Sequence, residues 1–85
     1  MKFRLYTKSD CPFCHAAVAL LAEQEKEFEC YSLDKKPELL SEIKGTYNWR
    51  TVPIVVEITE GKEKFIGGFT DLKQYLNKGT QLLKG

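Results

Sequence analysis

The chain has 85 residues, 13 lysines and arginines against 12 aspartates and glutamates, a formal net charge of +1, and 42% hydrophobic residues. A chain this short buries roughly 60 to 65% of the surface its unfolded form exposes, enough for one core over residues 1–85 and not for two. So small a charge leaves no footprint for nucleic acid, and the longest apolar run, Ala16 to Ala22, falls far short of the ~18 to 20 residues that span a bilayer.

Phe3-Arg4-Leu5-Tyr6-Thr7 alternates apolar and polar side chains and predicts a strand ending at about Thr7, broken by Ser9-Asp10-Cys11-Pro12. Pro12 suits the first position of a helix, where a missing N–H has no partner to lose, and no breaker follows from Phe13 to about Lys26. Cys14, Ala17, Val18, Leu21 and Ala22 recur there at spacings of three and four and predict one buried stripe. Alternation returns over Glu27 to Leu33. Asp34-Lys35-Lys36-Pro37 then turns into a second helix carrying Leu39, Leu40 and Ile43, with Gly45 as its expected end.

Val52 to Ile58 is the most β-branched segment. With the turn Glu60-Gly61-Lys62 and the run Lys64-Phe65-Ile66 it predicts a hairpin. After Gly67-Gly68, the residues Phe69, Leu72, Tyr75 and Leu76 repeat at helical spacing, with Thr70 as expected N-cap and Gly79 as expected C-cap. The order β-α-β-α-β-β-α implies an α/β architecture, in which a mixed four-stranded sheet is flanked by three helices on both faces.

Three cysteines, two of them at Cys11 and Cys14, suit metal or redox chemistry in a reducing compartment better than a secreted disulfide framework. The N-terminus intersperses charge with apolar residues, unlike a secretory signal, so a cytoplasmic location is expected. As the N-cap of the first helix, Cys11 would face free backbone N–H groups and the positive end of the macrodipole, which favour a sulfur anion and hence a nucleophile. Cys14, deeper in the helix, would attack second. Zinc needs two more ligands, and His15 points about 100° away from Cys14 around the helix while Cys30 lies in a strand. Two inert buried cysteines remain the bland alternative. Cys30 reads as structural, His15 as an exposed polar residue, and Tyr47 and Trp49 as either core or rim.

Three segments in order, Lys8-Ser9-Asp10-Cys11-Pro12-Phe13-Cys14, Arg50-Thr51-Val52-Pro53 and Gly67-Gly68-Phe69-Thr70-Asp71-Leu72, make the chain resemble the dithiol glutaredoxins, small thioredoxin-fold proteins, from Lys2 to about Asn77. The resemblance implies Cys11 as nucleophile and Cys14 as resolving cysteine. It also implies a cis Pro53 in the Thr51-Val52-Pro53 loop, whose Val52 backbone pairs with the cysteinyl part of glutathione. Thr70 and Asp71 would hold the γ-glutamyl end, with Gly67 and Gly68 allowing close backbone approach beside it, and Lys8 and Arg50 would lie near the glycyl carboxylate and the thiolate. Phe13, at the border of that site, stands where most relatives carry tyrosine.

The expected activity is glutathione-dependent reduction of glutathione mixed disulfides and protein disulfides by a monomer, with glutathione as co-substrate and no tightly bound cofactor or metal. Expected partners are disulfide-containing or glutathionylated proteins, ribonucleotide reductase among the candidates. One alternative is an electron donor reduced by thioredoxin reductase, although such relatives typically lack the Thr-Asp pair. A second, from another class, is an iron–sulfur cluster carrier, which Pro12 disfavours because such relatives usually have Gly or Ser there.

Overall fold

In strand β1 (Lys2–Thr7) every second residue, Phe3, Leu5 and Thr7, is buried, so the alternation read in the sequence aims one face of the strand at a core. The computed structural model describes residues 2–84. After β1 come helix α1 (Pro12–Glu23), strand β2 (Phe28–Ser32), helix α2 (Pro37–Tyr47), strands β3 (Ile54–Thr59) and β4 (Lys62–Gly67), and helix α3 (Phe69–Lys84). The strands form one mixed sheet in the order β2-β1-β3-β4, with β1 parallel to β2 and antiparallel to β3, and β3 antiparallel to β4. The expected α/β architecture is the one observed.

Phe3, Leu5 and Val55 from the sheet, Ala17 and Leu21 from α1, and Leu72 and Leu76 from α3 make one cluster. Complete burial of each larger member contributes about 1.5 to 3 kcal/mol. Of the stripe expected on α1, Cys14, Ala17 and Leu21 are buried and Val18 packs against the cluster, whereas Ala22 is exposed. On the opposite face Arg4 and Tyr6 of β1, with Leu39 and Ile43 of α2, line a cavity of about 590 Å³. Glu57 is only 7% exposed, and the Tyr75 hydroxyl donates to both of its carboxylate oxygens at 2.9 Å. That bond offsets part of the cost of burying a charge.

Several helix boundaries differ from expectation, each for a local reason. Helix α1 stops at Glu23 and not near Lys26, because Glu25 adopts φ 56° and the N–H groups of Glu25 and Lys26 turn back to the carbonyls of Ala22 and Leu21. This is a Schellman closure made without glycine. Gly45 lies inside α2, and the helix ends where Asn48 takes the left-handed conformation, φ 53° and ψ 49°. Asparagine tolerates that conformation because its short polar side chain can hydrogen-bond locally. Helix α3 begins at Phe69, so Thr70 is inside its first turn instead of capping it, and the helix runs through Gly79 to Lys84. A lone glycine costs a helix about 1 kcal/mol and does not by itself end one. The hairpin turn is the two residues Glu60 and Gly61, both at positive φ, and Lys62 already belongs to β4.

Candidate functional site

Cys11 occupies the N-cap of α1, with φ −106° and ψ 109°, and Pro12 opens the helix. Extended backbone at Cys11 turns its side chain back over the first turn, where Sγ accepts the Cys14 N–H at 3.2 Å. The same sulfur donates to the Val52 carbonyl at 3.5 Å. The first turn of α1 holds no acidic side chain to neutralise its exposed N–H groups. Cys14, 3% exposed, lies beneath, and its thiol is pushed up to about 12, first by burial and then by the neighbouring Cys11 sulfur. One sulfur is thus accessible and solvated by N–H, and the other is buried and holds its proton. Such a pair can attack a disulfide with the first sulfur and resolve the mixed disulfide with the second.

Beside Cys11 runs a groove of about 240 Å³ lined by Phe13, Trp49, Thr51, Val52, Pro53, Gly68, Phe69, Thr70 and Asp71. Three segments distant in sequence meet here. The Val52–Pro53 peptide is cis. Pro53 is buried, while Thr51 and Thr70 are exposed. Asp71 accepts the Gly68 N–H at 3.0 Å through Oδ2, so Asp71, and not Thr70, satisfies the backbone at the head of α3. Gly67 makes that turn possible: it sits at φ +128°, and a Cβ there would come within 2.6 Å of the Asp71 carboxylate. A Cβ on Gly68 would meet only ordinary contacts, 3.6 Å from the Pro53 carbonyl and 3.7 Å from the Trp49 ring.

Seven of the residues expected at the ligand site therefore share one groove, namely Phe13, Thr51, Val52, Pro53, Gly68, Thr70 and Asp71. Lys8 and Arg50 are exposed and do not line it. Trp49 and Phe69 line it although sequence reasoning assigned them no such part. Phe69 tilts against the 61% exposed ring of Phe13 at 6.2 Å, and Trp49 stands edge-on to Phe65 at 5.3 Å. Their only signal in the sequence was adjacency to Arg50-Thr51 and to Thr70-Asp71. Cys30 is a further departure. It is exposed on edge strand β2, with its sulfur 3.5 Å from the Thr7 hydroxyl, and is not a core residue. Among the described residues no group of three or more His, Cys, Asp or Glu side chains could hold a metal ion, and no helix is long and apolar enough to cross a membrane.

The glutaredoxin family model matches residues 4–61. Glutaredoxin-2 of Schizosaccharomyces pombe is 34% identical over 76 residues, covering 89% of this chain and 68% of that protein. The crystal structure of a wheat glutaredoxin superposes with a TM-score of 0.75 at 33% identity, covering 96% of this chain and 76% of the other. The glutaredoxin-like protein NrdH-redoxin from Escherichia coli, solved to account for its thioredoxin-like activity profile, superposes with a TM-score of 0.63 at 27% identity, covering 84% of this chain and 87% of the other. The family match ends before Gly68, Thr70 and Asp71.

Proposed function

This chain belongs to the glutaredoxin family and, like the members of that family, is a thiol–disulfide oxidoreductase, and on that premise we propose that glutathione is its reductant and that Cys11 carries the exchange. The Cys11 thiolate attacks the glutathionyl sulfur of a mixed disulfide. A Cys11–glutathione disulfide forms, the original S–S bond breaks, and the departing thiolate takes up a proton. A second glutathione thiolate then attacks the glutathione sulfur of that intermediate, which yields oxidised glutathione and returns the Cys11 thiolate. With a protein disulfide, Cys14 gives its proton to the leaving thiolate and attacks the Cys11 sulfur. The resulting Cys11–Cys14 disulfide is then reduced by two molecules of glutathione.

The observation that carries this proposal is the groove. It joins the carbonyl that Cys11 touches, on Val52, to the first turn of α3, where Thr70 and Asp71 stand. A tripeptide with an ammonium and a carboxylate at its γ-glutamyl end suits an acidic side chain next to the N–H groups of a helix start. Lys8 and Arg50, exposed and outside the groove, are left to meet the glycyl carboxylate from the rim. Phe13 borders the cysteinyl part. Disulfide-containing and glutathionylated proteins are the proposed partners, in the cytoplasm, where an odd cysteine count and a Cys-x-x-Cys are at home.

A second proposal, reduction by thioredoxin reductase, is favoured by the likeness to the NrdH-redoxin with its thioredoxin-like activity profile. Turnover of a glutathione mixed disulfide, assayed with NADPH, glutathione and glutathione reductase and in parallel with NADPH and thioredoxin reductase, separates the two. Turnover in the first assay and little in the second is expected. The reverse would transfer the protein to the second proposal.

A further inference from the structure

Ser9 is held at each of its polar groups. Its backbone N–H donates to both carboxylate oxygens of Asp34, at 3.0 and 3.2 Å, and its hydroxyl donates to Asp34 Oδ1 at 3.0 Å. Its carbonyl meets His15 Nε2 at 2.9 Å. A carbonyl can only accept, so Nε2 carries the proton of that bond. The two holders come from different elements, Asp34 from the segment after β2 and His15 from α1, directly after Cys14. Asp34 is itself braced by the Ser32 hydroxyl.

What they hold is the turn that delivers Cys11. Only Asp10 separates Ser9 from Cys11, and the Cys11 N–H closes the turn on the Lys8 carbonyl at 3.3 Å. The turn is otherwise solvent-facing, since Lys8, Ser9 and Asp10 are all exposed. A segment this exposed is free to leave its conformation unless bonds of this kind retain it. If it leaves, Cys11 departs from its extended backbone conformation and its sulfur loses the Cys14 N–H.

We propose that Asp34 and His15 are positioning residues of the exchange reaction, which act through Ser9 to keep the sulfur of Cys11 at the N-cap of α1. This rests on Cys11 being the attacking sulfur. Both residues are exposed, so their bonds to Ser9 contribute little to global stability. Their effect falls on the reactivity of one thiol.

The test is iodoacetamide labelling of the reduced full chain at neutral pH, read cysteine by cysteine by mass spectrometry beside a thermal melt. This neutral reagent needs no cationic subsite. His15→Ala and Asp34→Ala should each slow labelling of Cys11 by roughly two- to tenfold, the range that one or two hydrogen bonds produce. His15→Gln keeps an N–H donor and Asp34→Asn keeps an acceptor, and both should restore most of the rate. Unchanged Cys11 labelling in the alanine variants, or slowing that the conservative variants do not restore, overturns the proposal. Should Asp34→Ala fail to fold, His15→Ala, an exposed helix position, decides alone. Faster labelling of Cys14 than of Cys11 in the unaltered protein overturns it too, and assigns the fault to the proposed function instead.

Discussion

The backbone N–H of Cys14 donates to the sulfur of Cys11 at 3.2 Å, so the inner cysteine of the pair helps to solvate the outer one. The bond is asymmetric. The outer sulfur accepts a backbone N–H, whereas the inner thiol is buried and keeps its proton. Two cysteines three residues apart thereby differ both in access and in backbone contact.

That depth has a direct readout. With its thiol pushed up to about 12 by burial and by the neighbouring Cys11 sulfur, Cys14 in the reduced protein stays protonated at pH 8. Iodoacetamide at that pH should modify Cys11 and the exposed Cys30 and leave Cys14 unmodified until the chain is unfolded. Native labelling of Cys14 at the rate of Cys30 would contradict the assigned depth.

Cys14→Ser should keep most of the turnover of small glutathione mixed disulfides, a route that needs one protein thiol, and lose most of the reduction of protein disulfides. Cys11→Ser should lose both. Steady-state assays of the two substrate classes provide the comparison, and interchangeable behaviour of the two variants would refute the division of labour.

The adjacent glycines should respond differently to alanine. Gly67→Ala places a Cβ within 2.6 Å of the Asp71 carboxylate at a φ of +128°, a conformation that costs an alanine about 1 to 3 kcal/mol, so its melting temperature should fall by several degrees. Gly68→Ala meets nothing closer than 3.6 Å and should fold normally. Its methyl group enters the groove wall, so its effect should appear as a raised KM for the glutathione mixed disulfide.

Asp71→Ala removes both an acceptor for the Gly68 N–H and the charge proposed to meet the γ-glutamyl ammonium. Loss of a charge-assisted contact weakens binding by roughly 1.5 to 3 kcal/mol, so KM for the glutathione mixed disulfide should rise about 10- to 150-fold. Labelling of Cys11 by iodoacetamide should be nearly unaffected. An unaltered KM would remove glutathione from this end of the groove.

Acid should release the turn before Cys11. Hydrogen bonds from Ser32, and then from the Ser9 backbone, hold the Asp34 carboxyl below its ordinary value of 3.8. Because the folded value is the lower one, ionised Asp34 stabilises the folded turn at pH above the ordinary value, and that contribution is lost as pH falls through the folded one. The Ser9 amide resonance, followed by NMR from pH 6 to pH 2, should shift with a midpoint below 3.8. A midpoint at or above that value would count against these bonds.

Strand and helix types were legible because burial in this chain follows period: Phe3, Leu5 and Thr7 in β1, Cys14, Ala17 and Leu21 in α1. Helix starts were legible at Pro12 and Pro37, where proline marks the first turn. Helix ends were not, since Glu25 and Asn48 take the left-handed conformation that glycine usually signals, and their backbone bonds to the preceding turn leave no mark in residue type. Exposure of Cys30 depends on β2 being an edge strand, a property of sheet order and not of local pattern. Trp49 and Phe69 were not assigned to the groove for a related reason: a wall built from three separate segments has no local signature.

The head of α3 serves the groove and the core at once. Asp71 lines the groove while Leu72, the next residue, is wholly buried among Phe3, Leu5 and Val55. Any ligand that grips this turn therefore binds the native state and not the unfolded chain, and its concentration enters the folding equilibrium, adding about 2.7 kcal/mol at a hundred times Kd. A ligand at this turn thus acts as a brace for the whole core, and a thermal melt taken at rising ligand concentration should move upward with it.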